Sequence, residues 1–264
     1  MIGRALVLQA EGSGLPCVAT SRKPGASHFL DLNASPDTWS LPVNVETAIL
    51  CAAVTGLATC ENDRVHTRAV NVTATIALAN RLASQGAKIS FLSSNQVFGP
   101  EVVTPAEDHP PGPVTEYGRQ KFAVERHLLE NHPDSQIIRL TKVISPSLPL
   151  FTRWMDSLAH SQSITAYSDL YFSPLEHMTT AATILEIVRI RHAGIFHISA
   201  ADSLSYFDAA RWLTARTGTD PALIQCAPAP YPNTPDSCRF NCERTVDLTG
   251  YCLSRSIDHL QELG

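Results

Sequence analysis

The stretch Glu116-Tyr117-Gly118-Arg119-Gln120-Lys121 sets a tyrosine and a lysine four residues apart, the spacing that stacks two side chains on one helix face about a turn apart. A phenol of pKa about 10 is a poor proton donor at neutral pH, and a neighbouring ammonium lowers that pKa by favouring the phenolate. A hydroxyl held close by then polarises a carbonyl oxygen while the tyrosine supplies the proton. Such a hydroxyl is available in Phe91-Leu92-Ser93-Ser94-Asn95-Gln96-Val97-Phe98-Gly99, where an apolar run ends in two serines. In open α/β sheets ligands sit at the carboxyl ends of strands, which is where this reading puts Ser93 and Ser94. Tyr-x-x-x-Lys alone is a weak signal whose ordinary meaning is a surface pair; the serine-ended strand upstream turns the balance toward chemistry.

The elements that must hold these groups follow from the pattern of apolar residues. Continuous apolar or β-branched runs at 16–21, 28–32, 47–53, 89–93 and 136–140 read as strands, the third and later ones buried on both faces. Helical segments at 2–10, 63–85 and 117–131 lie between them, the second closed by the stop signal Gln85-Gly86. This alternation predicts an α/β fold, a doubly wound parallel sheet of Rossmann type, over residues 1–145. Beyond Ser145-Pro146-Ser147-Leu148-Pro149 the rhythm changes to helices at 150–160, 179–191 and 206–217 with short strands such as 195–198. Residues 146–264 are expected to form mainly a small α+β cap over the substrate, with 164–200 returning to the first domain.

The bulk properties exclude several classes. A net charge of −5 offers no basic footprint for nucleic acid or an anionic membrane. The longest apolar stretches fall short of the roughly 20 residues a membrane helix needs. Seven cysteines, an odd number without paired ligand spacing, read as buried free thiols in a reducing cytoplasm rather than as disulfides or a metal site. His109, His160, His177 and His197 are too scattered to read as ligands.

Taken together, Ile-Gly-Arg-Ala-Leu at 2–6, Val-Ala-Thr-Ser-Arg at 18–22, Phe-Leu-Asp-Leu at 29–32, the run 48–55, Val-Asn-Val-Thr-Ala-Thr at 70–75, the run 91–99, Tyr-Gly-Arg-Gln-Lys at 117–121 and Asp-Leu-Tyr-Phe-Ser-Pro at 169–174 resemble the extended short-chain dehydrogenase/reductases. Within them the chain is similar to the dTDP-4-dehydrorhamnose reductase-like, sugar-nucleotide-modifying branch. The resemblance implies Ser94, Tyr117 and Lys121 as the catalytic set, with Lys121 also binding the cofactor ribose. It implies Gly3, Arg22, Asp31, Leu32, Cys51, Ala52 and Ala53 along the cofactor, with Arg22 suited to the 2′-phosphate of NADP. Ser93, Asn95, Gln96, Lys142 and Tyr171 fall on the substrate side, the substrate being a keto-sugar nucleotide or related carbonyl compound. Relatives dimerise through the helices here at 63–85 and 115–131, which implies a homodimer.

Three positions depart from the family pattern. Asn95 and Gln96 stand where an acidic residue and an aromatic are usual, and Thr141-Lys142 where a small residue and a bulky aromatic are. Met1-Ile2-Gly3-Arg4 matches only the end of the family's Gly-x-x-Gly-x-x-Gly loop, so the first strand and two glycines have no counterpart in the sequence. That strand is central in the order 3-2-1-4-5-6, and its absence opens a gap of roughly 10 Å with unpaired backbone on both sides. A folded chain is expected to close the gap, by pairing the strands on either side or by borrowing chain from elsewhere. A start upstream of Met1 and a remodelled fold without dinucleotide binding both account for the sequence. Three functions therefore stand: an NADP-dependent reductase or epimerase, a cofactor-free proton-transfer enzyme on the same scaffold, and a non-catalytic regulatory subunit.

Overall fold

The computed structural model describes residues 1–23, 28–51, 53–230 and 233–263. The chain begins with α1 (Ile2–Gly12), then β1 (Thr20–Ser21), β2 (His28–Phe29), β3 (Thr47–Leu50), α2 (Leu57–Asn62) and α3 (Arg64–Arg68). A π-helical segment, Ala69–Ala74, runs without a break into α4 (Thr75–Ser84). There follow β4 (Lys88–Ser94), α5 (Glu116–Asn131), β5 (Gln136–Leu140), β6 (Lys142–Ile144), α6 (Pro149–Ala159), β7 (Ile164–Tyr167), β8 (Tyr171–Phe172), β9 (Pro174–Glu176) and α7 (His177–Arg189). The chain closes with β10 (Gly194–Ile198), β11 (Leu204–Ser205), α8 (Tyr206–Thr217), β12 (Ile224–Ala227) and α9 (Glu243–Thr249), followed by short helical turns.

The centre is a parallel sheet in the order β10-β5-β4-β3, registered Leu50↔Phe91, Phe91↔Ile137 and Ile137↔Ile195. Alternate residues of each strand point to opposite faces. Ile89, Phe91 and Ile137 meet Leu78 and Leu82 of α4 and Val124 and Leu128 of α5. Leu92, Ile138, Leu140 and Ile198 meet Leu6 of α1 and Ile184 and Ile187 of α7. This is the Rossmann-like α/β architecture, a parallel sheet covered by helices on both faces. A separate core of Ile144, Phe151, Trp154, Phe172 and Leu213 holds α6 and α8 over the small sheets β7–β12 and β8–β11, with Phe172 stacked on Tyr206 at 4.4 Å between centroids. Among the described residues no helix is long and apolar enough to cross a membrane.

Several sequence expectations change. The first strand starts at Thr20 rather than Pro16, and the third ends at Leu50 with only that residue fully buried, because β3 is the sheet's edge. The helix expected over 63–85 runs from Arg64 to Ser84, capped by Asp63, which accepts the His66 N–H, and differs from the expectation in carrying the π segment Ala69–Ala74 within it. Cys17, Cys226 and Cys252 are exposed rather than buried: Cys17 and Cys252 lie outside the helices and strands, and Cys226 on an exposed stretch of β12. The gap beside β3 is not closed by pairing. β1 and β2 bond to each other, and among the described residues neither is bonded to β3. The pair is held where it is from the side: Leu30, Leu32 and buried Trp39 pack into the α4 core, and Arg81 of α4 donates to the carbonyls of Pro36 and Trp39.

Beneath the carboxyl ends of β4 and β5 lies a buried ion pair. Arg139 of β5 and Glu125 of α5, 1% and 0% exposed, meet in a forked contact of Nη2–Oε2 2.8 Å and Nε–Oε1 3.1 Å. Ser93 donates to the same carboxylate, and Arg139 Nη1 reaches His197 Nε2 at 3.3 Å and the Glu107 carbonyl at 3.4 Å. His197 Nδ1 faces the Asn241 carbonyl at 3.1 Å, which makes it the protonated ring nitrogen and leaves Nε2 to accept from Arg139. Burial, with the Arg139 charge adding to it, pushes the His197 pKa down to about 3.

Glu125→Gln is expected to cost about 3–5 kcal/mol in urea unfolding by stranding the Arg139 charge, while the double change Glu125→Leu with Arg139→Met recovers most of it. For His197 the folded pKa lies below the unfolded value of 6.5, so the unfolded chain binds the extra proton. Its contribution is complete above pH 6.5 and is lost as pH falls from there toward 3. His197→Gln is expected to flatten that limb of a stability–pH curve.

Candidate active site

The candidate groups gather where β3, β4 and α5 meet. Thr115 caps α5 by accepting the Gly118 N–H at 3.0 Å, and Glu61 of α2 accepts the Glu116 N–H at 2.7 Å, so the first turn of the helix is pinned twice. Gly118 is required there: a Cβ would collide with the carbonyl oxygen of Gln96. That close approach sets the first turn of α5 against the turn Asn95–Val97, which Ser94 caps by accepting the Gln96 N–H at 3.2 Å. The Ser94 hydroxyl also meets Asn95 Oδ1 at 3.4 Å, and Gln96 Oε1 accepts from Thr115 at 3.4 Å.

Tyr117 and Lys121 share the inward face of α5, 8% and 4% exposed, with Lys121 Nζ 5.8 Å from the centroid of the tyrosine ring. Nζ donates to the Leu92 carbonyl at 2.7 Å and lies 4.5 Å from the centre of the Phe91 ring. Burial pulls the Lys121 pKa down to about 8, against the opposing pull of Cys51 and Glu125. The phenol moves the other way from the sequence expectation. Burial pushes the Tyr117 pKa up, because the loss of water around the phenolate outweighs any help from the ammonium.

The cofactor-side residues are spread more widely. Gly3, in the first turn of α1, lies against Cys51 at the end of β3, a Cβ there falling 3.7 Å from the cysteine Cβ. Burial raises the Cys51 thiol to about 12. Ala52 lies outside the described residues, and Ala53 is half-buried. Arg22 is exposed, and its charge helps lower the Asp31 carboxyl after the larger effects of the Asn33 backbone and side-chain N–H groups. Leu32 packs into the core rather than facing outward.

On the substrate side, Ser93 is turned inward to Glu125, since alternation along β4 gives it the face opposite to that of Ser94. Lys142 is exposed on β6, paired to Pro174 of β9. Tyr171 lies on β8, its backbone clasped by Asn233 at 2.6 and 3.0 Å. Among the described residues no hydrogen bond links either to Ser94, Tyr117 or Lys121. Sequence reasoning missed Asn71, Gln120 and Glu125, three buried polar groups around the site. Their signal was a polar residue at a helical spacing that the packing turns inward.

The fold and this grouping of residues define a Rossmann-like protein of the short-chain dehydrogenase/reductase type. Within that class the chain belongs to the RmlD substrate binding domain family, whose model matches residues 1–250. A dTDP-4-dehydrorhamnose reductase of Mycolicibacterium smegmatis is 30% identical over 245 residues, covering 88% of this chain and 73% of that protein. Among solved structures, a dTDP-4-dehydrorhamnose reductase from Yersinia enterocolitica superposes with a TM-score of 0.82 at 22% identity, over 100% of this chain and 94% of that one. One from Bacillus anthracis in complex with NADP gives 0.73 at 21% identity, over 81% and 78%. The chain spans between 61% and 80% of the length of the curated relatives it matches.

Lys121→Met is expected to raise the urea midpoint at pH 7, because it removes a desolvated charge. The unfolded chain holds that proton up to pH 10.5 and the folded chain only to about 8, so the parent gains stability as pH rises across this window. The advantage of the variant should therefore shrink between pH 8 and 10.5 when both unfolding curves are compared.

Proposed function

We propose that the chain is an NADPH-dependent reductase of a keto-sugar carried on a nucleoside diphosphate, of the dTDP-4-dehydrorhamnose type, acting through Ser94, Tyr117 and Lys121. The observation that carries this reading is the pairing of Tyr117 and Lys121 on one buried helix face, beside the Ser94 turn and the end of β3. The activity named for the Mycolicibacterium smegmatis relative and the NADP held by the Bacillus anthracis neighbour support it.

The residues present suit the cofactor. Among the described residues the Lys121 ammonium meets one hydrogen-bond acceptor, the Leu92 carbonyl, and its other N–H groups are available to ribose hydroxyls. Gly3 presents bare backbone near the first turn of α1, where a helix N-terminus favours phosphate. Arg22 beside Asp31 gives a cation for a 2′-phosphate. When bound, the cofactor supplies hydride; the protein's own part is to hold and protonate the carbonyl. Ser94 orients the carbonyl oxygen. Tyr117, kept protonated by burial, delivers the proton to it, and Lys121 anchors the ribose and favours the phenolate left behind. In this reading residues 1–145 bind the cofactor and 146–264, with Lys142 and Tyr171, mainly cover the sugar nucleotide. The protein works in the cytoplasm as a homodimer.

Tyr117→Phe is expected to lower kcat by about 10²- to 10⁴-fold in an NADPH-oxidation assay with dTDP-4-dehydro-6-deoxy-sugar, leaving NADPH affinity nearly unchanged. The parent's affinity for NADPH should weaken as pH rises through about 8, where Lys121 loses its charge. A calorimetric titration showing no NADPH binding by the parent would remove the redox reading. Turnover of the same sugar nucleotide without cofactor would then favour proton transfer alone.

A further inference from the structure

Gln120 lies inside the Tyr117–Lys121 interval but faces away from the sheet, wholly buried, toward α3 and the π segment. Its amide touches side chains on three elements. Gln120 Oε1 accepts from Asn71 Nδ2 at 2.7 Å, and Nε2 donates to Thr67 Oγ1 at 3.0 Å and to Glu116 Oε1 at 3.1 Å. Asn71 stands in the middle of the π-helical Ala69–Ala74, a distortion that costs helix regularity and gathers at functional sites. There its amide grips one residue by both backbone groups: Oδ1 accepts the Val54 N–H at 2.7 Å and Nδ2 donates to the Val54 carbonyl at 2.9 Å.

The directions of these bonds leave no freedom. The Val54 N–H requires the Asn71 oxygen, so the Asn71 NH₂ must serve both the Val54 carbonyl and Gln120, and the Gln120 oxygen must face it. The Gln120 NH₂ is then directed at Thr67 and Glu116. Thr67 has already given its own proton to the Asp63 carbonyl, and Glu116 accepts only. Turning either amide over would set donor against donor in a buried site, at the cost of unsatisfied polar groups.

We propose that Gln120 is a positioning residue: through Asn71 it fixes the loop after β3, which carries Cys51 and Ala53, relative to the helix that carries Tyr117 and Lys121. The two sides of the candidate nicotinamide site then cannot move apart independently. This rests on the reading of the site as a cofactor site, but the coupling itself is a property of the protein alone and is read without ligand.

The test is amide hydrogen exchange of the full chain, with NADPH titration alongside. Gln120→Met keeps the volume and removes every bond; Gln120→Glu keeps an oxygen toward Asn71. Exchange at the Val54 amide is expected to rise roughly tenfold or more in Gln120→Met and less in Gln120→Glu, while Ile138 in the central sheet stays at the parent's rate. The dissociation constant for NADPH is expected to rise about tenfold in Gln120→Met, with a smaller change in kcat. Val54 exchange equal to the parent's, or acceleration shared equally by Ile138, overturns the coupling. A loosened Val54 with unchanged NADPH affinity overturns its role in positioning. Should Gln120→Met fail to fold, Gln120→Glu decides by the same comparison, since unaltered Val54 exchange and NADPH affinity there overturn the proposal. If the parent itself binds no NADPH, the proposed function falls, and the Val54 comparison alone supports or overturns the coupling.

Discussion

Everything at the carboxyl end of the sheet rests on one buried pair of opposite charges, Glu125 and Arg139. Neither charge would survive alone in that place: an isolated buried ion costs several kcal/mol, and it is the forked contact, Ser93 and His197 that make the site tolerable. The arrangement ties β4, β5, β10 and α5 together by direction as well as by packing. A hydrophobic replacement of the same volume would fill the space without dictating which way α5 is turned. Because Glu125 lies one turn below Lys121 on that helix, the rotation that satisfies the pair also sets the lysine beneath the Leu92 carbonyl. The Glu125 charge further opposes the desolvation that pulls Lys121 toward neutrality.

The lysine illustrates a trade between stability and chemistry. A cation almost wholly buried with one acceptor among the described residues is a poor choice for holding a fold together, and its depressed pKa records the desolvation. Tyr117 shows the same logic with the opposite sign, since burial favours its neutral, proton-bearing form. The two groups thus sit in a desolvated site that moves their pKa values apart and favours the uncharged form of each.

How far the sequence disclosed this depended on how local the cause was. Strand β5 and helix α8 were read to the residue, because their apolar runs and turn signals are local. The serine-ended strand and the Tyr117–Lys121 face followed from periodicity alone. What the sequence did not disclose depends on neighbours. The short β1 and the half-exposed β3 reflect a sheet that parts between them, and the π segment lies where Asn71 reaches across to Val54. The inward turn of Ser93 was in principle readable from strand alternation. The rise of the Tyr117 pKa was not, because an i, i+4 lysine argues for a fall and only burial reverses it. Glu125 looked like any glutamate on a helix until Arg139, a charge in an otherwise apolar strand, was placed opposite it.

The seam between β1 and β3 divides the molecule unequally. Ser94, Tyr117, Lys121 and Cys51 all come from the side built on β3, β4 and α5, where seven-residue β4 is bonded on both edges and the helix is capped twice. Arg22 and Asp31 come from the other side, from a pair of two-residue strands held by Trp39 and Arg81 rather than by a ladder to the main sheet. Under the proposed function, proton chemistry would draw on the part of the fold bonded into the main sheet, and recognition of the distal half of a dinucleotide on the part that is not. If the proposed function holds, a change at the seam acts first on how tightly and how selectively the far end of the cofactor is held. The placing of Tyr117 and Lys121 depends on the Glu125–Arg139 pair and the Asn71–Gln120 clamp, which do not cross it.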